Sequence, residues 1–424
     1  MRKTTALGLL VAAMLVTTAA GATGQFVEPT TVLHTLQGET PPNNCSVACF
    51  GWAVSELADV DKDGAGEAIV GEPFTANGST YVYSGRTGRL LRRFDGSVAG
   101  AQHGYAMADA GDVDRDHVHD IVASAPGDGP GHAYVYSGRT GALLHDLVGE
   151  TAGDFFGSAV ASAGDVDRDK HADILVGAEL AAAGAGKAYV FSGRSGALIR
   201  ELQAGDAGDH FGSATDSTAD LDRDHVPDQI VGARDAGLAG PGNGPGRAYV
   251  FSGRTGRLLF QIAPPASGVN LGWFFVAGVG DVNRDHTPDV YAADFSDSSR
   301  GPGTGRAAVY SGHDGSELLS WTGSAAGEGM GPGREAGDVN HDGRPDLAVG
   351  SYTSSDGAPA AGKIEIFSGR DGSLLRTITS LTTNENLGFD AVGIGDVNRD
   401  HLPDLLASAA NGETVYLIAG EAER

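Results

Sequence analysis

Aspartates at every second residue, then one more four residues on, make up the stretch Asp165-Val166-Asp167-Arg168-Asp169-Lys170-His171-Ala172-Asp173. Side-chain oxygens at positions 1, 3, 5 and 9, with a backbone carbonyl at 7, can wrap one hard cation in a single tight loop, and an all-oxygen donor set favours calcium. The pattern recurs with first aspartates at Asp59, Asp112, Asp165, Asp220, Asp281, Asp338 and Asp396, so the repeat is 53 to 61 residues long and fills the chain. Self-similarity at that period marks an array of units, none of which buries its own faces alone.

Each unit reads alike: a small-residue segment, the acidic loop, an apolar run, a Gly/Pro-rich loop, an aromatic run, a tight turn and a leucine-rich run. In the third unit these are Phe156 to Gly164, the acidic loop, Ile174-Leu175-Val176-Gly177, then Ala188-Tyr189-Val190-Phe191, the turn Ser192 to Gly196, and Ala197-Leu198-Ile199. Small side chains suit an innermost strand where sheets converge. A short apolar run bounded by breakers suits a strand covered on both faces. The expectation is an all-β fold, a seven-bladed β-propeller of four-stranded antiparallel blades. The seventh unit stops after its third strand, at Val415-Tyr416-Leu417-Ile418, and Val32-Leu33-His34-Thr35-Leu36 matches the missing fourth, so an N-terminal strand is predicted to close the ring. Met1-Arg2-Lys3, the apolar run Ala6 to Val16 and the site Ala20-Gly21-Ala22 read as a cleaved secretory leader over 1–22. Residues 23–424 form the propeller, with blades near 45–96, 97–149, 150–204, 205–263, 264–323, 324–381, and 382–420 plus 31–38.

The candidate ligands follow by position. They are Asp59, Asp61, Asp63 and Glu67; Asp112, Asp114, Asp116 and Asp120; Asp165, Asp167, Asp169 and Asp173; and Asp220, Asp222, Asp224 and Asp228. Three loops place asparagine third: Asp281, Asn283, Asp285 and Asp289; Asp338, Asn340, Asp342 and Asp346; and Asp396, Asn398, Asp400 and Asp404. Carbonyls of Ala65, Val118, His171, Val226, Thr287, Arg344 and Leu402 would complete up to seven structural calcium sites. Position 6 is glycine only at Gly64 and Gly343 and elsewhere histidine or lysine, which is read as a turn residue of positive φ rather than a transition-metal ligand.

The formal charge of -26 is explained by these loops, which hold 25 of the 55 acidic residues; seven divalent ions would bring it to -12. No basic patch is visible along the chain, which argues against nucleic acid. No later stretch is long and apolar enough to span a membrane. Cys45 and Cys49, the only cysteines, are read as a short local disulfide in an oxidising compartment.

Phe50-Gly51, Phe156-Gly157 and Phe211-Gly212 before the acidic loops, with Val70-Gly71-Glu72-Pro73 and Ala123-Ser124-Ala125-Pro126 after them, resemble the FG-GAP repeat of integrin α-subunit propellers, in a secreted, bacterial-type form. The resemblance implies a calcium-stabilised propeller in adhesion or ligand binding, with ligand on the rim away from the metal loops. Rim aromatics Phe74, Trp273, Phe274, Phe295 and Tyr352 are candidates for an extracellular protein or glycan ligand. The sequence leaves the oligomeric state open. The competing expectation is a polysaccharide hydrolase or lyase using rim acids such as Asp154, Asp209, Asp294 and Asp297. No HExxH or GxSxG motif is present.

Overall fold

The computed structural model describes residues 25–38, 50–237, 244–264 and 268–421. The leader and both cysteines, Cys45 and Cys49, lie outside the described residues. Within them the chain forms seven four-stranded antiparallel sheets, six of them simple meanders. Blade three is typical: Phe156–Gly164 innermost, then Asp173–Ala178, Lys187–Phe191 and Leu198–Leu202 outermost. The second strand is buried along its whole length in every blade, which is why it reads as an unbroken apolar run. A four-residue helical turn, Ala181–Gly184, and the 3-10 turn Ala410–Gly412 interrupt two rim loops.

Blade seven consists of Leu387–Gly395, Asp404–Ala409 and Thr414–Ile418, with Val32–Leu36 added as its outer strand. The ring is therefore closed by the N-terminal strand as expected, His34 pairing with Leu417 and Leu36 with Val415.

Apolar side chains gather between blades rather than within them. One cluster joins Val166, Leu175 and Val190 of blade three to Phe211, Val231 and Tyr249 of blade four. Phe211 meets Tyr249 and Phe251 with ring centroids 5.7 and 5.8 Å apart. The glycine after it is required by contact: Gly212 has φ +92°, and a Cβ on Gly177 of the preceding blade would lie 2.1 Å from the Gly212 carbonyl. Around the circumference a residue of each outer strand reaches the next blade's strand 3–4 turn. Arg92 donates to the Gly138 carbonyl, Arg200 to that of Arg254 at 3.1 Å, Trp321 to that of Gly372 at 2.9 Å and Arg376 to that of Ala419 at 2.8 Å. His34, on the closing strand, lies 3.0 Å from the Arg86 carbonyl in the same way.

An antiparallel meander places the loops after strands 1 and 3 on one face and those after strands 2 and 4 on the other. The acidic loops thus share a face with the strand 3–4 turns, and the FG ends of the inner strands open on the opposite rim.

Candidate functional sites: seven acidic loops and an aromatic funnel

Every acidic loop is built on one hydrogen-bond scheme. The position 1 carboxylate accepts the backbone N–H of position 6, as Gly64 to Asp59 (2.9 Å), His117 to Asp112 (3.0 Å) and Lys170 to Asp165 (2.9 Å). Position 5 accepts from position 7, as Ala65 to Asp63, Val226 to Asp224 and Thr287 to Asp285. Position 9, on the second strand, accepts the N–H of position 2, and in six blades its other oxygen accepts the glycine N–H of the strand 3–4 turn, as Gly193 to Asp173 (2.9 Å) and Gly369 to Asp346 (3.0 Å). That glycine bond ties the loop to the turn beside it.

The scheme turns the carboxylates toward a common centre. In four loops one oxygen from each of three acids lies within 4.8 Å of the others: Asp59, Asp61 and Glu67; Asp112, Asp114 and Asp120; Asp165, Asp167 and Asp173; Asp220, Asp222 and Asp228. These groups can hold a metal ion. Glu67 Oε2 and Asp165 Oδ1 are buried with no hydrogen-bond partner, the condition a bound cation would relieve. Burial pushes Asp120, Asp173 and Asp228 up to about 6 and Glu67 up to about 8, so the loops are costly to ionise without a counter-charge. The asparagine-bearing loops share the scheme, Asp285 donating its N–H to Asp281 and Asn283, and Asp400 to Asp396 and Asn398.

Position 6 has positive φ throughout, from 66° at His117 to 85° at Gly64. Position 4 does too, which sequence reading did not anticipate: Lys62, Arg115, Arg168, Arg223, Arg284, His341 and Arg399 have φ between 57° and 67°. Side chains with a Cβ are strained there. Replacing His225 by glycine is therefore expected to stabilise the calcium-saturated chain by about 1 kcal/mol in urea unfolding, and a loss of stability would refute the strain.

On the other face the seven inner strands surround a funnel of about 400 Å³. The residue immediately after the FG glycine of each blade lines it: Trp52, Tyr105, Ser158, Ser213, Trp273, Pro332 and Phe389. Phe274, Phe295 and Tyr352 complete the wall. Ring contacts run around the lip: Trp52 to Phe389 at 5.4 Å, Phe389 to Tyr352 at 5.5 Å, Tyr352 to Phe295 at 6.2 Å, Phe295 to Trp273 at 5.2 Å and Trp52 to Phe274 at 6.0 Å. Arg234 covers Trp273 from outside, 4.8 Å from its ring centre, and pairs with Glu179 at 3.3 Å.

Of the rim aromatics expected from sequence, Trp273, Phe274, Phe295 and Tyr352 come together here. Phe74 instead stands edge-on to Trp52 at 4.9 Å and lies outside the lining. Trp52, Tyr105 and Phe389 were missed, although reading one residue past each FG glycine would have found all three. The rim acids do not meet in the funnel. Asp294 accepts backbone N–H bonds from Val269, Asn270 and Ser296, Asp297 accepts from Ser299, and Asp209 from Asp206; these three cap loops. Asp154 holds its loop to Leu180 through its carbonyl.

Arg334 makes the floor. It crosses from blade six to donate to the Val54 carbonyl of blade one (3.0 Å) and to Asp390 of blade seven (3.4 Å), dividing the funnel from a lower chamber of about 390 Å³. Exposed Glu56 and half-buried Asp216 line that chamber, which opens to water. Desolvation pushes Glu56 up to about 7 against the opposing pull of Arg334, with Asp216 and Asp109 raising it further; Asp216 is pushed up to about 6, again by desolvation. Raised carboxyls bind extra protons in the folded state, so their contribution falls as pH climbs from about 4 to 7 and then levels. The pair Glu56→Gln and Asp216→Asn is expected to raise the urea midpoint over the parent at pH 8 and by clearly less at pH 5. Equal effects at both pH values would contradict this.

Two segments match known repeat families: residues 338–407 an FG-GAP-like repeat, and residues 156–191 an FG-GAP repeat. Among known proteins, integrin alpha-8 of Gallus gallus is 30% identical over 232 residues, covering 49% of this chain and 22% of that relative. Integrin alpha-3 of Cricetulus griseus is 30% identical over 177 residues, covering 37% and 17%. The chain therefore spans less than a quarter of the length of these relatives. The crystal structure of BBS1N in complex with ARL6DN superposes with a TM-score of 0.57 at 12% identity, over 91% of this chain and 97% of that one, a likeness of fold alone. Among the described residues no helix is long and apolar enough to cross a membrane.

Proposed function

We propose, from the premise that the chain belongs to the integrin-α-like FG-GAP repeat proteins, that it is a secreted, non-catalytic binding module for an extracellular protein or glycan. Its ligand enters the aromatic funnel. Its blades are pinned by up to seven structural calcium ions, held by the side chains at positions 1, 3, 5 and 9 and the carbonyl at 7 of each acidic loop. Calcium is favoured over a softer metal because the donors are all oxygens and the position 6 histidines His117, His225 and His401 point to solvent, each more than nine-tenths exposed. A cleaved leader over 1–22 and a Cys45–Cys49 disulfide belong to the same reading, since both fit an exported chain.

The observation that carries the binding reading is the convergence of all seven post-FG residues on one funnel, four of them aromatic and in ring contact around its lip. Rigid aromatic surface with few polar groups at its base is what side-chain insertion or the apolar face of a sugar requires. The mature, calcium-saturated protein is to be passed over a panel of extracellular glycans and matrix proteins, scoring retention and fragment release together. For whichever component is retained, Trp52→Ala with Trp273→Ala is expected to weaken binding at least a hundredfold, about 3 kcal/mol, while calcium uptake stays at the parent value. Full retention by that variant would remove the funnel as the site, and release of fragments would replace binding by catalysis.

A further inference from the structure

The metal-loop face carries more than acids. The left-handed turns at position 4 carry an exposed Lys or Arg in six of the seven loops: Lys62, Arg115, Arg168, Arg223, Arg284 and Arg399, of which Arg168, Arg284 and Arg399 reach sideways to carbonyls of the next blade's loop. Lys170 adds another at position 6. The strand 3–4 turns on the same face contribute exposed Arg86, Arg139, Arg194, Arg254 and Arg370. In sequence these cations are diluted among aspartates and no basic run appears. In the fold they sit at the tips, while the carboxylates at positions 1 and 9 are half-buried or buried beneath them.

Counting both sets of loops, 25 loop carboxylates with Asp314 and Asp371 stand against 15 Lys and Arg, so the bare face is negative by 12 charges. Seven divalent ions turn that into an excess of two positive charges, while the rest of the chain stays acidic. Loading thus reverses the sign of one face only.

We propose that the calcium-loaded face binds a linear acidic polysaccharide, and that calcium release frees it. The cations are spread at one or two per blade around an annulus instead of clustering about a point, which suits a chain of regularly spaced carboxylate or sulfate groups better than a single anion. Apolar loop residues such as Val118, Val226 and Val282 are buried, so the loop tips offer no aromatic platform for bases and no wedge for a bilayer. The exposed leucines Leu143, Leu198, Leu258 and Leu374 open four outer strands next to the strand 3–4 turns and add apolar surface near this face. Anionic vesicles therefore form one arm of the test. The proposal rests on the calcium reading of the loops and is independent of the funnel on the opposite rim.

The test uses the full mature chain with dextran sulfate, carboxymethyl dextran and neutral dextran of equal length, and with phosphatidylserine vesicles, in calcium and in EGTA. Expected is retention by one or both acidic dextrans in calcium, lost in EGTA, falling steeply with added salt as counterions are released, and absent on neutral dextran. The variant Lys62→Gln, Arg115→Gln, Lys170→Gln, Arg223→Gln is expected to bind at least tenfold more weakly, with its calcium titration and melting temperature at parent values. Trp52→Ala is expected to change nothing here. Calcium titration reports loading by itself, so undiminished binding by the loaded variant overturns this proposal alone. Retention in EGTA, equal retention on neutral dextran, or capture by vesicles without capture by either acidic dextran would also overturn it.

Discussion

Stripping calcium from the mature chain with EGTA is expected to lower its melting temperature by about 20 °C, reversibly on adding calcium back. At a hundredfold excess over Kd each site contributes about 2.7 kcal/mol, so seven contribute roughly 19 kcal/mol against a melting entropy of roughly 0.8 kcal/mol per degree for a chain of this size. The cause lies in the loops. In four loops three carboxylates held within 4.8 Å repel one another, and burial pushes Asp289 and Asp346 up to about 6. Each loop also carries strained residues at position 4, and at position 6 wherever glycine is absent. Without a cation the scheme of backbone N–H bonds must bear all of this; with one, every second carboxylate oxygen has a partner. An unchanged melting temperature would sink the metal reading.

Deleting residues through Gly38 is expected to abolish cooperative melting and leave a chain that aggregates. The lost strand supplies the ladder to Thr414–Ile418 and the buried side chain of Leu36. With it go the Gln37 carbonyl that accepts from Tyr83 at 2.8 Å, and Glu28, which accepts the Thr379 N–H at 2.7 Å. Phe26, buried against Tyr416 with ring centroids 5.6 Å apart, is lost as well. Two buried apolar side chains at about 2 kcal/mol each and several hydrogen bonds at about 1 kcal/mol each approach the whole stability of an ordinary domain. What remains is a fully buried strand turned into a bare edge. The Ala419 N–H donates to the Thr31 carbonyl at 2.9 Å, so the strand begins beside the chain end. A permutant carrying residues 25–38 after a short linker at the C-terminus should then melt like the parent. Failure of that permutant to fold would show that closure is not what the N-terminal strand provides.

The ring and its closure were legible in the sequence because they depend on local, periodic signals. Loop aspartates at fixed spacing counted the blades, and the Val32–Leu36 run matched the outer strand missing from blade seven. The turn role of His117, Lys170 and His225 was also legible, since only a left-handed residue lets the Asp112 type of carboxylate reach its N–H. The funnel was half legible: Trp273, Phe295 and Tyr352 stood out as rim aromatics, whereas Trp52 and Phe389 were hidden as neighbours of core phenylalanine and leucine. Arg334 could not be read at all. Its role depends on an inner strand of blade six facing Val54 of blade one, 280 residues away, and no local pattern encodes that meeting. The basic annulus was invisible for the opposite reason: its members are periodic, but alternate with acids, of which the fold turns those at positions 1 and 9 inward.

Native mass spectrometry of the desalted mature chain, titrated with calcium, tests the central claim most directly. The account predicts seven ions per chain, with the three asparagine-bearing sites emptying first as chelator is added, because fewer charges bind more weakly. A chain that takes up no calcium at saturating concentration, or that releases it first from the four-carboxylate loops, would contradict it.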